Sequence, residues 1–129
     1  MKMDLKLSHV TIFVRDQEEA LAWYTDKLGF VKKEDNTFGP GMRWLTVSPP
    51  NQEIEFVLYK PFGEGAEEQL KLVGKNGTWV LLTSDCRKTC EELQARGVEV
   101  ISPPQEVPWG VSALFKDLYG NVYNLVERK

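Results

Sequence analysis

The sequence predicts an α+β domain built from two diverged β-α-β-β-β modules, and two observations carry that prediction. The first is a strand followed by an Asp-started helix that closes on glycine, written twice: HVTIFVRDQEEALAWYTDKLGF from His9 and TWVLLTSDCRKTCEELQARGVEV from Thr78. The second is a constant spacing. His9 and Thr78, Asp16 and Asp85, Gly41 and Gly110, and Glu55 and Asn124 each stand 69 residues apart. Self-similarity at one offset over such a length marks an internal duplication. The expected organisation is one domain over 1–129, with a first module at 5–60, a linker at 61–76 and a second module at 77–128.

Each element has its own local reason. HVTIFV alternates with period two, so Val10, Ile12 and Val14 share one face and His9, Thr11 and Phe13 the other. Asp16 with Glu19 three residues on has capping-box spacing, and the stripe Ala20, Tyr24, Leu28, with Trp23 beside it, runs to Gly29. A polar hairpin follows Phe30, then a Gly-Pro-Gly turn leads into the strand around Trp44. After the SPPNQ turn comes EIEFVLY, whose alternation sets Ile54, Phe56 and Leu58 against Glu55, Val57 and Tyr59. Residues 61–77 are rich in Gly, Glu and Lys and show no strand pattern; AEEQLKL is the one stretch there with helix-forming composition. In the second module Thr78–Thr83 is a strand. Asp85 starts a helix with Thr89, Cys90 and Leu93 inward. A Pro-rich turn precedes PWGVSALF, and DLYGN turns into VYNLVE.

Bulk composition narrows the function classes. At 129 residues, 42% hydrophobic and 27% charged, the chain can bury a core, and no apolar run approaches membrane-spanning length. A net charge of −3 argues against a nucleic-acid surface. The N-terminal MKMDLKLSHV reads as a lead into the first strand rather than a signal sequence, so a cytoplasmic location is expected. Cys86 and Cys90 lie one helical turn apart and read as ordinary thiols, since no second Cys/His cluster completes a metal set. There is no G-x-S-x-G, H-E-x-x-H, P-loop or G-x-G-x-x-G.

The strand start SHVTIFVRD, the helix AWYTDKLGF, the strand IEFVLY and the closing FKDLYGNVYNLVE, in that order and spacing, resemble the vicinal oxygen chelate superfamily. It includes glyoxalase I, bleomycin-resistance proteins, epimerases and extradiol dioxygenases. The resemblance covers essentially the whole chain. It implies a glyoxalase/bleomycin-resistance/dioxygenase-like fold in which the two modules form a curved mixed-sheet cup around a ligand. It also implies a site at the heads of the first strands and on the fourth strands, here His9, Glu55, Thr78 and Asn124, and a two-fold homodimer.

Two readings of that site stay open. In one, the cup binds a small molecule without chemistry, its pocket lined by Thr78, Asn124, Arg43, Trp109, Phe13 and Tyr59. In the other, the chain is a glyoxalase I-like lyase or an epimerase/isomerase acting on a small vicinal-oxygen substrate, with Glu55 as catalytic base. A divalent ion (Zn, Ni, Mn or Fe) would then sit on His9 and Glu55. Thr78 and Asn124 are poor ligands, so the expected metal set is incomplete and metal binding weak. Glu55, a lone carboxylate in an apolar strand, needs a partner, and His9, Arg43 or a metal are the candidates. Arg43 has two open roles, pairing with Glu55 or binding an anionic substrate. Trp109, on a turn, is a candidate for stacking on a flat ligand.

Overall fold

The computed structural model describes residues 3–129. Its elements are β1 (His9–Phe13), α1 (Gln17–Leu28), β2 (Val31–Thr37), β3 (Arg43–Ser48), β4 (Glu55–Tyr59), α2 (Ala66–Leu70), β5 (Trp79–Leu82), α3 (Cys86–Ala95), β6 (Glu99–Val107), β7 (Gly110–Lys116) and β8 (Val122–Arg128). They form two four-stranded mixed sheets, ordered β1-β4-β3-β2 and β5-β8-β7-β6. The chain divides into two compact units at Lys71/Leu72. Both units carry the predicted β-α-β-β-β order, and α2 occupies the stretch between β4 and β5.

In the first unit the aliphatic parity of the strands faces α1. Ile12, Val14, Leu45, Val47 and Leu58 are fully buried, as are Ala20 and Tyr24 of the helix. Tyr24 meets Phe30 at 5.5 Å between ring centroids, and Phe30 stacks on Phe56 at 5.9 Å. Asp16 caps the helix, its side chain accepting from the Glu19 amide at 3.0 Å, and Gly29 ends it in the left-handed conformation (φ 70°). The cap and the buried stripe together fix which face of the sheet α1 covers. The other face, through β1 and β4, carries the His9–Glu55, Thr11–Val57 and Phe13–Tyr59 rungs of a parallel ladder.

The second unit repeats the plan with different chemistry. Cys86, Cys90 and Leu93 of α3 are buried, and Phe115 stacks on Tyr123 at 5.3 Å. Burial, reinforced by the Cys90 thiol beside it, pushes the Cys86 thiol up to about 11, and burial raises Cys90 as well. Both are therefore poor nucleophiles at neutral pH. Asp85 caps α3 through the Lys88 amide at 3.0 Å. The carboxylate of Glu127, on β8, accepts from the Cys86 amide at 2.8 Å, satisfying a second free N–H of that helix end. The β7–β8 turn is built around buried Asp117 and Asn121. One Asp117 oxygen accepts from the amides of Tyr119 and Asn121, both at 2.9 Å, and the other from the Asn121 side-chain amide at 2.8 Å.

Two local expectations are corrected. The Pro-rich segment before Trp109 is strand rather than turn: β6 runs through Pro103 and Pro104. It tolerates them because it is an edge strand and its pairing with β7 slips between Ser102 and Gln105. The 69-residue offset also fails across the second parallel ladder. Val14 and Thr83, themselves 69 residues apart, donate to the carbonyls of Tyr59 and Val126 on the neighbouring strands. Those two carbonyls lie 67 residues apart. The fourth strand has thus slipped by two, and Asn124 stands opposite Val80 rather than Thr78.

Candidate functional site

Local pairing on the first sheet brings three ligand-bearing side chains together. His9 opens β1, and in the parallel register it stands opposite Glu55, the first residue of β4. His9 Nε2 lies 3.6 Å from Glu55 Oε1 and 3.8 Å from Glu34 Oε2, and one ligand atom from each residue falls within 4.8 Å of the other two. The His9 ring also stands edge-on to Trp44, with centroids 5.4 Å apart.

Thr46 in β3 organises the carboxylates. Its buried hydroxyl donates to Glu55 Oε1 at 2.6 Å and accepts from the Glu34 amide at 3.1 Å, so one side chain ties β2 and β4 to the site. The Trp44 indole donates to Glu34 Oε2 at 2.7 Å. His9 Nδ1 lies 2.9 Å from Ser8 Oγ, while the buried Nε2 has no hydrogen-bond partner. That nitrogen points at the carboxylates across gaps longer than a hydrogen bond.

Glu34 is the residue that reading the strand pattern missed. Every residue of VKKEDNT in β2 is exposed, so no burial period marks its faces. A bulge between Lys32 and Glu34 then changes parity and places Glu34 opposite Thr46. Counted without the bulge, Lys33 would take that place.

Arg43 belongs to the other face. It shares parity with Leu45 and Val47, and its guanidinium makes a bidentate pair with Asp35 (two contacts of 2.8 Å) and a contact with Glu18 of α1. In place of the expected pairing with Glu55, Arg43 takes these two carboxylates. Its role is to fasten the β2–β3 hairpin to the helix. The hydrogen bond from Arg43 holds the Asp35 carboxyl below the ordinary carboxylate range despite the opposing effect of burial. The stability from this pair is fully present above the unfolded pKa of Asp35, near 4, and is lost as pH falls through the lower folded value. Arg43→Gln should therefore be less stable than wild type at pH 6, and the gap should narrow steadily below pH 4. Urea midpoints across that range check it; a gap unchanged down to pH 2 would show that the pair contributes nothing.

The remaining sequence candidates are placed as follows. Phe13 and Tyr59 form the last rung of the His9–Glu55 face, T-shaped at 5.9 Å, and Tyr59 reaches Phe62 at 6.1 Å. In the second unit Asn124 accepts from the Ser112 hydroxyl at 2.7 Å. Thr78 is exposed and precedes β5. Trp109 is 58% exposed on the turn between β6 and β7. No helix among the described residues is long and apolar enough to cross a membrane.

Comparison with known proteins agrees with this architecture. The model of the Glyoxalase/Bleomycin resistance protein/Dioxygenase superfamily matches residues 6–125. The protein YetH of Bacillus subtilis (strain 168) is 33% identical over 122 residues, covering 95% of this chain and 98% of that one. Among solved structures, UcmS2 is 39% identical with a TM-score of 0.85, covering 97% of this chain and 99% of that one. TnmS3, described as an antibiotic binding protein from Streptomyces sp. CB03234, is 32% identical with a TM-score of 0.84, covering 99% and 100%. A family match over nearly the whole length, on a chain whose two sheets repeat one β-α-β-β-β plan, places this protein in the Glyoxalase/Bleomycin resistance protein/Dioxygenase superfamily.

Proposed function

We propose that this chain is a small-molecule-binding protein of the bleomycin-resistance type, which takes its ligand against the His9–Glu55 face of the first sheet. The observation that carries the reading is the composition of that face. An imidazole and two carboxylates stand beside the Trp44 ring, with the Phe13–Tyr59 pair at the far end of the same ladder. Aromatic surface with a few fixed polar groups is what recognition of a drug-sized compound requires. The similarity to an antibiotic binding protein at 32% identity supports the same class of ligand.

A second reading is an isomerase or lyase with Glu55 as general base, favoured by a half-buried carboxylate held by Thr46 beside His9. Both readings include a two-fold homodimer in the cytoplasm. Light scattering that finds only a 14.8 kDa species at tens of micromolar would remove the dimer.

The experiment is a titration of a panel of antibiotics, bleomycin among them, followed by tryptophan fluorescence and calorimetry in the presence of EDTA. A saturable response should weaken about tenfold or more in Glu55→Ala, the size expected when a polar anchor is lost. No response from any member, or equal affinity in Glu55→Ala and His9→Ala, would overturn the binding reading. Isomerisation of a hemithioacetal that disappears in Glu55→Gln would favour the enzyme.

A further inference from the structure

We propose that Asn76, in the second unit, is a site of spontaneous covalent modification. Through a cyclic imide formed with Gly77 it converts to a mixture of aspartate and isoaspartate, and the conversion loosens the junction between the segment before β5 and the β7–β8 turn. The proposal does not depend on any ligand at the first sheet.

Sequence and fold together create the reactive pair. Of the five asparagines in the chain, Asn76 alone precedes glycine; the others precede Thr37, Gln52, Val122 and Leu125. A side chain on the following residue crowds the approach of its amide nitrogen to the asparagine side-chain carbonyl, and glycine brings none. The fold also demands glycine there. Gly77 sits at φ 114°, and a Cβ on it would stand 2.8 Å from the Val122 carbonyl oxygen. The attacking group is accessible: Gly77 is exposed, and among the described residues its amide donates to no acceptor. Asn76 is half-buried, so solvent reaches the pair. By contrast, Asn36 is held in β2 opposite Trp44, Asn121 is fully buried, and Asn124 is engaged by Ser112.

The reaction needs only solvent water. The Gly77 nitrogen bonds to Asn76 Cγ, the Cγ–Nδ2 bond breaks, and Nδ2 leaves as ammonia with the Gly77 amide proton. Water then opens the imide. Addition at Cγ leaves an ordinary aspartate. Addition at the backbone carbonyl carbon leaves isoaspartate, in which the chain runs through Cβ and Cγ and is one carbon longer.

The surroundings do not fit that longer chain. The backbone amide of Asn76 donates to Asn121 Oδ1 at 2.8 Å, and the Asn121 side chain is in turn held by Asp117 at 2.8 Å. Two residues earlier, a Cβ on Gly74 would stand 2.1 Å from the Tyr119 carbonyl oxygen. Residues 74–77 are thus laid directly on 119–122, and an extra carbon within them has to lift one of these contacts. Either product also sets a new carboxylate on the segment that the Asp117–Asn121 turn holds.

The test is ageing of the folded chain in mildly alkaline buffer. Conversion is read by peptide mapping with electron-transfer fragmentation and by methyl transfer from S-adenosylmethionine under an isoaspartyl methyltransferase. Position 76 should convert ahead of Asn36 and Asn51, and methyl acceptance should disappear in Asn76→Gln. The converted chain, separated by anion exchange, should melt below the unconverted one. A synthetic peptide of residues 72–80 sets the rate without the fold. The wild-type map needs no variant, so a poorly folding Asn76→Gln leaves the comparison with the peptide decisive. Asn76 still intact in the folded chain after that peptide has converted overturns the proposal, as does first conversion at another asparagine. A converted chain that melts together with the unconverted one overturns the loosening.

Discussion

Alanine at position 110 should destabilise the chain by at least about 3 kcal/mol, whereas alanine at position 41 should cost only about 1 kcal/mol. The two glycines occupy matching places in the sequence repeat, which makes the contrast informative. Gly110 opens β7 with φ at 149°, and a Cβ there would stand 1.9 Å from the Glu127 carbonyl oxygen. That oxygen belongs to the backbone of a paired strand, so it cannot swing aside without breaking the Val111–Glu127 rung. The damage would reach α3, because the Glu127 side chain satisfies the Cys86 amide. Gly41 also has a positive φ (74°), but its Cβ would meet only the Phe62 Cβ at an ordinary 3.7 Å. Backbone strain then remains as the main cost. Chemical unfolding of the two single variants checks the pair; equal losses would mean that the close approach at Gly110 relaxes freely.

Asn121→Ala should cost about 2–4 kcal/mol, the second large effect. Asn121 is fully buried, and its side chain bridges two segments: its amide donates to Asp117 at 2.8 Å and its oxygen accepts from the Asn76 amide at 2.8 Å. Truncation strands one buried carboxylate oxygen with a donor fewer and leaves the Asn76 amide without this acceptor. Asn121→Asp is the discriminating companion. It keeps an acceptor for Asn76 but puts a second carboxylate against Asp117 in place of the amide donor, so it should be at least as damaging as alanine near neutral pH. A thermal midpoint for Asn121→Ala within a degree of wild type would refute the account.

Much of this structure was legible because its signals are local. Alternation in HVTIFV and EIEFVLY put His9 and Glu55 on the face away from the helix, and Asp16, Gly29 and Asp85 marked helix ends by their own side-chain and backbone preferences. What stayed hidden depends on register. Glu34 reaches the site through a one-residue bulge in a strand with no apolar period, and the same bulge decides whether a lysine or a glutamate stands opposite Thr46. The faces of Arg43 and Trp44 follow only from the pairing of β3 with its neighbours. The displacement of Asn124 from Thr78 could not be read from a repeat whose helix caps keep their spacing while its fourth strand does not.

The strand order has a consequence for how the chain is made. In each sheet the fourth strand in sequence lies between the first and third, so neither sheet can close until its own last strand exists. The first sheet can close once Tyr59 has emerged, and His9, Glu34 and Glu55 can assemble while the second module is still incomplete. The second must wait for β8, leaving β5 and β7 without their shared neighbour until Arg128 has emerged. A nascent chain whose emerged part ends near Lys116 would therefore present a finished first module followed by open strand edges that are templates for mispairing. Chaperone dependence during translation should concentrate in that interval and end when the final strand slots into place.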